Sequence, residues 1–552
     1  MKLSMTQISS MQKIRSCDTL PFEEIREAHV LPGERLTYQL VLQTDGRENV
    51  TLRVDSPLKE AVNLYLVKDV YMDQPAILRD MEGEDYLTLT PGMMPDVLIP
   101  LEKQHFQVNV SRQLTVIWVR VNVPSAPCAA FPITITAVPE EGQAALNPTK
   151  ERPTPVSCTM DVTVASTPLP AQSLLYTRWF YVDCIANAHH VGIYSEAHWE
   201  LIDQYLAAAA DAGISMILVP IHTPPLDTQI GTTRPCVQLV DITKEGNTYH
   251  FGFSRFHRFI ELCKKNGIRY YEMAHMFSQW GAKCAANILV THDQITDYLF
   301  GWNTPADAPE YLDFLKQYIA AIAKELEAED ISQFTYFHIS DEPSLEAVDA
   351  YRCASDIIRP LIGNSNTMDA LSSYDFYEKG LVECPVTCVD HMKDFLGHQI
   401  PNQWVYYCCQ PEKVYTNSFL AMPSRRVRIL GFLLYKYDIK GFLHWGFNFY
   451  NTSLSRYPVD PYLTTSADGA FASGDAYIVY PGQGCVYPSI RGEITYQAIQ
   501  DMRLCQALEE RIGRDAVVSL IDKTAGRPLT FEEYPKTDSF FETLHDTMVR
   551  ML

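Results

Sequence analysis

Phe334-Thr-Tyr-Phe-His-Ile-Ser-Asp-Glu-Pro343 is the stretch that decides the fold. An apolar and aromatic run too short for a globular helix stops at two adjacent carboxylates, the form of a buried strand that delivers polar groups at its carboxyl end. Around it, from Leu174 onward, the chain keeps a strand and helix rhythm. Candidate strands are Leu174–Phe180, Ser215–Ile221, Arg269–His275, Phe334–Ile339, Asn366–Leu371, Val386–His391, Trp404–Cys409 and Gly441–Gly446. Helical stretches such as Glu196–Ala212, Tyr311–Glu327 and Leu345–Leu361 separate several of them. Ser195 can cap the first, because its side-chain oxygen meets free amide donors, and Gly213 stands where that helix should stop.

The chain before Leu174 reads differently. Glu34-Arg-Leu-Thr-Tyr-Gln-Leu-Val-Leu-Gln43 and the later part of Val108–Val121 alternate apolar and polar, and turn signals fall at Pro32-Gly33 and Asp45-Gly46. Short alternating strands of this kind predict an antiparallel sandwich. Pro168-Leu-Pro-Ala-Gln172 then reads as a linker. After the eighth candidate strand, Ile494, Ala498, Met502 and Cys505 share one helical face. The expectation is therefore a multidomain α/β and β protein. It places an N-terminal antiparallel β-sandwich over residues 1–168, a (β/α)8 TIM-like barrel over 169–488, and C-terminal helices over 489–552 packing on the barrel.

Composition narrows the function classes. The 552 residues are 47% hydrophobic and 20% charged, which is the balance of a folded globular chain. A formal charge of −22 leaves no basic face in the sequence and argues against nucleic acid as partner. No window has the length of a membrane span, and the first ten residues lack the apolar core of a secretory signal, so the expectation is a cytoplasmic protein with no membrane partner. Fourteen cysteines fall in no regular framework and are read as reduced thiols, Cys408 and Cys409 among them as inert packing. Fifteen histidines show no ligand spacing, so neither a metal nor a cofactor is expected. The composition is compatible with a homo-oligomer.

Barrel enzymes collect their chemistry at the carboxyl ends of the strands. That rule selects Arg178 and Trp179 on the first strand, His222 on the second, Glu272 and His275 on the third, and His338 with Asp341 and Glu342 on the fourth. It selects Asp369 on the fifth, Asp390 and His391 on the sixth, Tyr407 on the seventh, and Trp445 with Asn448 on the eighth. Acids, amides and flat rings suit a saccharide, whose hydroxyls need hydrogen bonds and whose ring faces stack on aromatics. The bland readings are also specific: Asp341 or Glu342 as caps of the helix that Pro343 begins, Trp179 and Trp445 as core, His275 and His338 as satisfied buried imidazoles.

The adjacency of the acids is a constraint. Consecutive strand residues face opposite ways, so both reach one ligand only if the backbone leaves the sheet there. A retaining glycosidase with two protein carboxylates holds them on separate elements about 5–5.5 Å apart, which neighbours in sequence fit poorly. They fit substrate assistance better, in which the sugar's own 2-acetamido oxygen attacks the anomeric carbon. Asp341 would then orient the acetamide, and Glu342 would protonate the leaving oxygen and later activate water.

Several separated motifs carry a resemblance. Arg178-Trp-Phe-Tyr-Val-Asp-Cys184, Pro224-Pro-Leu-Asp227, His275-Met-Phe-Ser-Gln-Trp-Gly281, His338-Ile-Ser-Asp-Glu-Pro343 and Gly474-Asp-Ala-Tyr-Ile-Val-Tyr-Pro-Gly482 resemble uncharacterised domain family 4091, a relative of glycoside hydrolase family 123. The resemblance spans roughly Leu174 to Gln506. It implies a retaining exo-β-N-acetylgalactosaminidase acting by acetamido assistance on an oligosaccharide or glycoconjugate, with Asp341 and Glu342 as the catalytic pair. Two alternatives stand beside it. One is an exo-glycosidase for another sugar, pairing Asp341 or Glu342 with Glu272, Asp369 or Asp390; the other is a carbohydrate-binding barrel without turnover.

Overall fold

Alternating side chains become two layers. In the computed structural model, which describes residues 2–103, 105–126, 129–140, 153–279, 281–342 and 348–552, Arg35–Thr44 pairs antiparallel with Thr115–Asn122. One five-stranded sheet runs in the order Leu3–Ser9, Arg35–Thr44, Thr115–Asn122, Val62–Met72, Gly92–Pro100. The other runs Glu27–Val30, Val156–Val164, Phe131–Pro139, Glu48–Asp55, Gln107–Val110. Only the pairing of Val156–Val164 with Glu27–Val30 is parallel. Leu40, Ile117 and Val119 of the first sheet share one core with Leu52, Ile133 and Ile135 of the second, as a sandwich requires.

Residues Met1–Ser173, Thr416–Lys436 and Tyr487–Leu552 form one compact unit, and Leu174–Tyr415 with Tyr437–Val486 a second. The helix Ile490–Ile512 carries charges into its own buried surroundings, and these need partners. It finds them on the sandwich and on the helix Ser424–Lys436, whose Arg428 donates to Asp501 at 2.7 Å. Glu493 accepts from Arg35 at 3.3 Å and from Nε of Arg120 at 3.2 Å, and Arg491 is ion-paired with Asp96 at 2.9 Å.

Eight parallel strands close the barrel of the second unit. They are β1 (Leu175–Arg178), β2 (Met216–Val219), β3 (Tyr270–Met273), β4 (Thr335–Phe337), β5 (Asn366–Leu371), β6 (Cys384–Cys388), β7 (Trp404–Tyr406) and β8 (Gly441–His444). Closure lies between β8 and β1, with Gly441 opposite Leu175 and His444 opposite Arg178. Gly441 makes room for the core: a Cβ there would stand 2.0 Å from the Trp404 ring. The helix Glu196–Asp211 starts as its sequence indicates, with Ser195 accepting from His198 N at 3.3 Å, a cap that contributes about 1 kcal/mol. Gly213 beyond it takes φ +83°.

The loops after β2 and β3 hold a small sheet that was not expected. Its strands are Thr248–Gly252, Asp241–Glu245, Ile288–His292 and Ile295–Phe300, in that spatial order. The turn between the last two places Asp293 and Gln294 at φ 49° and 66°, a mirror-image hairpin turn. The helix expected from Leu345 is described as Val348–Ile358; Pro343 and Leu345 lie outside the described residues, as does Trp280. Among the described residues no helix is long and apolar enough to cross a membrane.

Candidate active site

β4 ends at Phe337, and five residues later the chain turns. Glu342 adopts φ +43°, the left-handed region, which costs a residue with a Cβ roughly 1–2 kcal/mol. That turn is the departure from strand geometry the adjacent acids require. Asp341 and Glu342 both line one cleft of about 620 Å³ of empty space, partly open to solvent.

Each acid is held by a different element. Asp341, 5% exposed, accepts from Gln279 Nε2 at 2.7 Å, and the Oε1 of Gln279 accepts from the Asp227 N–H at 2.8 Å. Burial, then the neighbouring Glu342 charge, pushes the Asp341 carboxyl up to about 7. Glu342 is exposed and accepts from the Tyr406 hydroxyl at 2.6 Å. A third carboxyl, Asp227, also lines the cleft, and burial pushes it up to about 6. Its Oδ2 and the hydroxyl of Tyr181, another wall residue, are buried without hydrogen-bond partners. One accepts and the other can donate, which is what a sugar hydroxyl engages.

Aromatic and apolar groups complete the walls: Trp179, Trp445, Phe471, Leu226, Ala370 and Leu443. Trp445 is fixed from behind, its Nε1 donating to the buried Asp475 at 2.8 Å, with the Phe471 ring edge-on at 5.2 Å. Asp475 also lies 3.3 Å from His444.

Beneath the cleft is a buried polar layer. Glu272 accepts from Trp179 Nε1 at 3.0 Å, from His338 Nε2 at 2.7 Å and from the Thr177 hydroxyl. Asp369 accepts from the backbone N–H of Ile339 at 3.1 Å, from that of Ser340 at 3.3 Å and from the Tyr351 hydroxyl, and lies 3.4 Å from His338 Nδ1. Burial works against a charged His338, but the hydrogen bonds and charges of Asp369 and Glu272 outweigh it and lift its pKa to about 9. His275 stacks on His338 with centroids 4.2 Å apart, and burial followed by the His338 charge holds its pKa well below the usual imidazole range.

The sequence-selected residues therefore separate into two sets. Asp341, Glu342, Trp179 and Trp445 are in the cleft. Glu272, His275, His338 and Asp369 form the layer below it. Arg178 is fully buried, donating to Tyr176 Oη at 2.7 Å and Gly446 O at 3.0 Å, and Asn448 clamps the Tyr181 backbone through its N–H at 2.9 Å and its carbonyl at 3.0 Å. His222 is bonded to the carbonyl of His275 at 2.9 Å. Tyr407 packs on Phe442 and His444 in the core, and it is Tyr406 that reaches Glu342. Asp390 lies 3.8 Å from His391, and neither lines the cleft. Gln279, Asp227, Tyr181 and Phe471 were not selected. Gln279 and Asp227 stood inside quoted motifs, but nothing in their spacing reveals a loop folded over the barrel mouth.

Among the described residues the one group of three or more metal-capable donors is His275, His338 and Asp369, within 4.8 Å of one another. Both nitrogens of His338 already face carboxylates, so protons occupy the positions a metal would take.

A closed parallel barrel with paired carboxyls and aromatic walls at the carboxyl ends of its strands defines a glycosidase-type hydrolase. The family model for the glycoside hydrolase 123 catalytic domain matches residues 179–508, more than half of the 552, and the chain belongs to that family. Among solved structures, a family 123 glycoside hydrolase from Clostridium perfringens, studied for glycolipid glycan hydrolysis, is similar over 100% of this chain and 97% of its own. The TM-score is 0.73 at 14% identity, a likeness of fold. A family 5 mannosidase from Rhizomucor miehei covers 64% of this chain and 96% of its own at 12% identity, with a TM-score of only 0.35. No curated protein matches. The chain is thus a glycoside hydrolase with an antiparallel N-terminal region and a TIM-like catalytic barrel.

Proposed function

We propose that the protein is a retaining exo-β-N-acetylgalactosaminidase that uses the substrate's acetamido group as nucleophile. The observation that carries this reading is the left-handed turn at Glu342, by which two consecutive carboxyls serve one cleft. Two acids so placed attend neighbouring atoms of one sugar rather than its opposite faces. Asp341 accepts the acetamide N–H, turning the carbonyl oxygen toward the anomeric carbon and offsetting positive charge on the oxazolinium-like intermediate. Glu342 gives its proton to the leaving oxygen, then takes one from the water that opens the intermediate.

The raised Asp341 supports this division of labour. Near neutral pH the Asp341 carboxyl, pushed up to about 7 by burial and by the Glu342 charge, still holds a proton in part. An acetamide N–H donated to Asp341 favours the anion there, which makes it the acceptor this mechanism needs. Asp227 Oδ2 and Tyr181 Oη offer an acceptor and a donor for ring hydroxyls, and the family's glycolipid-hydrolysing relative makes a glycoconjugate a reasonable source of the sugar. The alternative pairings with Glu272, Asp369 or Asp390 lose their support, since none of the three lines the cleft.

Aryl β-GalNAc, β-GlcNAc and β-galactoside, assayed side by side, test the reading. Turnover is expected for the acetamido sugars, fastest for β-GalNAc; hydrolysis of the plain galactoside alone would overturn it.

A further inference from the structure

β7 ends at Tyr406, and two and three residues on the chain carries Cys408 and Cys409, whose sulfurs stand 3.9 Å apart. Both line the catalytic cleft and both are partly exposed, unlike the buried thiols Cys263, Cys384 and Cys505 that fill core positions. They therefore face the cleft, where the sequence reading had them as packing. The Cys408 N–H donates to Gln410 O at 2.8 Å, which closes the backbone into a tight loop and holds the two side chains together. Two sulfurs bound to one tetrahedral ion with bonds of about 2.3 Å stand about 3.8 Å apart. The observed separation already meets that geometry.

We propose that Cys408 and Cys409 form a binding site for a thiophilic divalent cation of the Zn²⁺ and Cd²⁺ class, and that an ion held there stops turnover. Two thiolates supply the protein ligands, and solvent in the cleft completes the shell. Soft sulfur donors select such ions over Mg²⁺ or Ca²⁺. Glu342 stands near enough for its charge to be among those that raise the Cys408 thiol, so a cation on the sulfurs draws the carboxylate toward itself and occupies space that the leaving group needs. Binding replaces thiol protons by metal. Each S–H bond broken is replaced by a sulfur–metal bond and releases one proton to solvent, so affinity rises with pH.

The binding claim is independent of the sugar; the inhibition claim rests on the role proposed for Glu342. Cd²⁺ alone is titrated into the reduced, chelator-treated full-length protein, with calorimetry and thiolate-to-metal ultraviolet absorption as readouts. The wild type is compared with the Cys408→Ser/Cys409→Ser double variant and with Cys353→Ser, an exposed cysteine away from the cleft. One ion bound with a thiolate band is expected in the wild type and in Cys353→Ser, and binding about 100-fold weaker or more in the double variant. Hydrolysis, taken relative to each protein's own metal-free rate, should stop with Cd²⁺ in the first two, return with chelator, and persist in the double variant. Equal thiolate-band binding by the double variant would overturn the site. Full hydrolysis by the Cd²⁺-bound wild type would overturn the inhibition. A wild type that cleaves no glycoside would count against the proposed function alone, because the titration still decides the site.

Discussion

The cleft and the layer directly beneath it use the same residue types to opposite ends. In the lower layer every charge meets a counter-charge: His338 is flanked by Glu272 and Asp369, which also collect hydroxyl, indole and backbone donors. In the cleft, Asp341 and Glu342 sit beside each other with like charge, and Asp227 keeps an unpartnered oxygen. Paired charge fixes geometry, whereas under-paired charge is ready to bind and to move protons. Asp369 connects the two, because its carboxylate holds the backbone N–H groups of Ile339 and Ser340, immediately before the acids.

The largest effect is expected at the upper level. Glu342→Gln should lower kcat by about 10²–10⁴ for a poor leaving group and much less for a nitrophenyl group that needs no protonation. Steady-state kinetics on the two substrate types read this directly, and equal losses would assign Glu342 another role. Next comes the lower layer, where Asp369→Ala leaves the Nδ1 side of His338 and two backbone donors unsatisfied, with Glu272 still on Nε2, and should cost about 3 kcal/mol of stability. A denaturant midpoint unchanged from wild type would show that the layer is not held as described.

A third prediction separates the levels by sign. The Asp341 carboxyl is raised to about 7 in the fold, against an ordinary value near 3.9 in the unfolded chain. Between those values the unfolded chain has already released the proton that the fold retains, so stability falls as pH rises through that window. Asp341→Asn should therefore raise Tm at about pH 8 and leave it unchanged at about pH 4, while hydrolysis is lost. A Tm lowered at the higher pH would contradict the raised carboxyl. The smallest effect belongs to the wall: Asp475→Asn weakens the hold on Trp445 and should raise KM a few-fold, about 1 kcal/mol, with kcat nearly kept.

How far these features could be read from sequence follows from geometry. Short buried runs between helices located all eight barrel strands, and alternation located the sandwich, because both signals arise from side chains meeting a core. Directions at strand ends were harder. Tyr406 and Tyr407 differ by one residue and so face opposite ways, and no local pattern says which enters the cleft. The adjacent acids required a departure from the sheet, but its left-handed form at Glu342 is likewise invisible, as a left-handed glutamate has no propensity signature. Gln279 and Asp227 reach the acids only through loops folded over the barrel mouth, and the hairpins at 241–252 and 288–300 were hidden within those loops. The ends of strands set the chemistry, and there the periodicity that betrays structure has stopped.

The central claim is that the substrate supplies the nucleophile to a cleft whose two acids stand side by side. Aryl β-galactosaminides carrying N-acetyl, N-fluoroacetyl, N-difluoroacetyl and N-trifluoroacetyl groups test it most directly, since each fluorine makes the amide oxygen a weaker nucleophile while the leaving group stays constant. The account predicts that kcat/KM falls steeply and steadily along the series. A flat series would mean that a protein carboxylate attacks instead, and would contradict it.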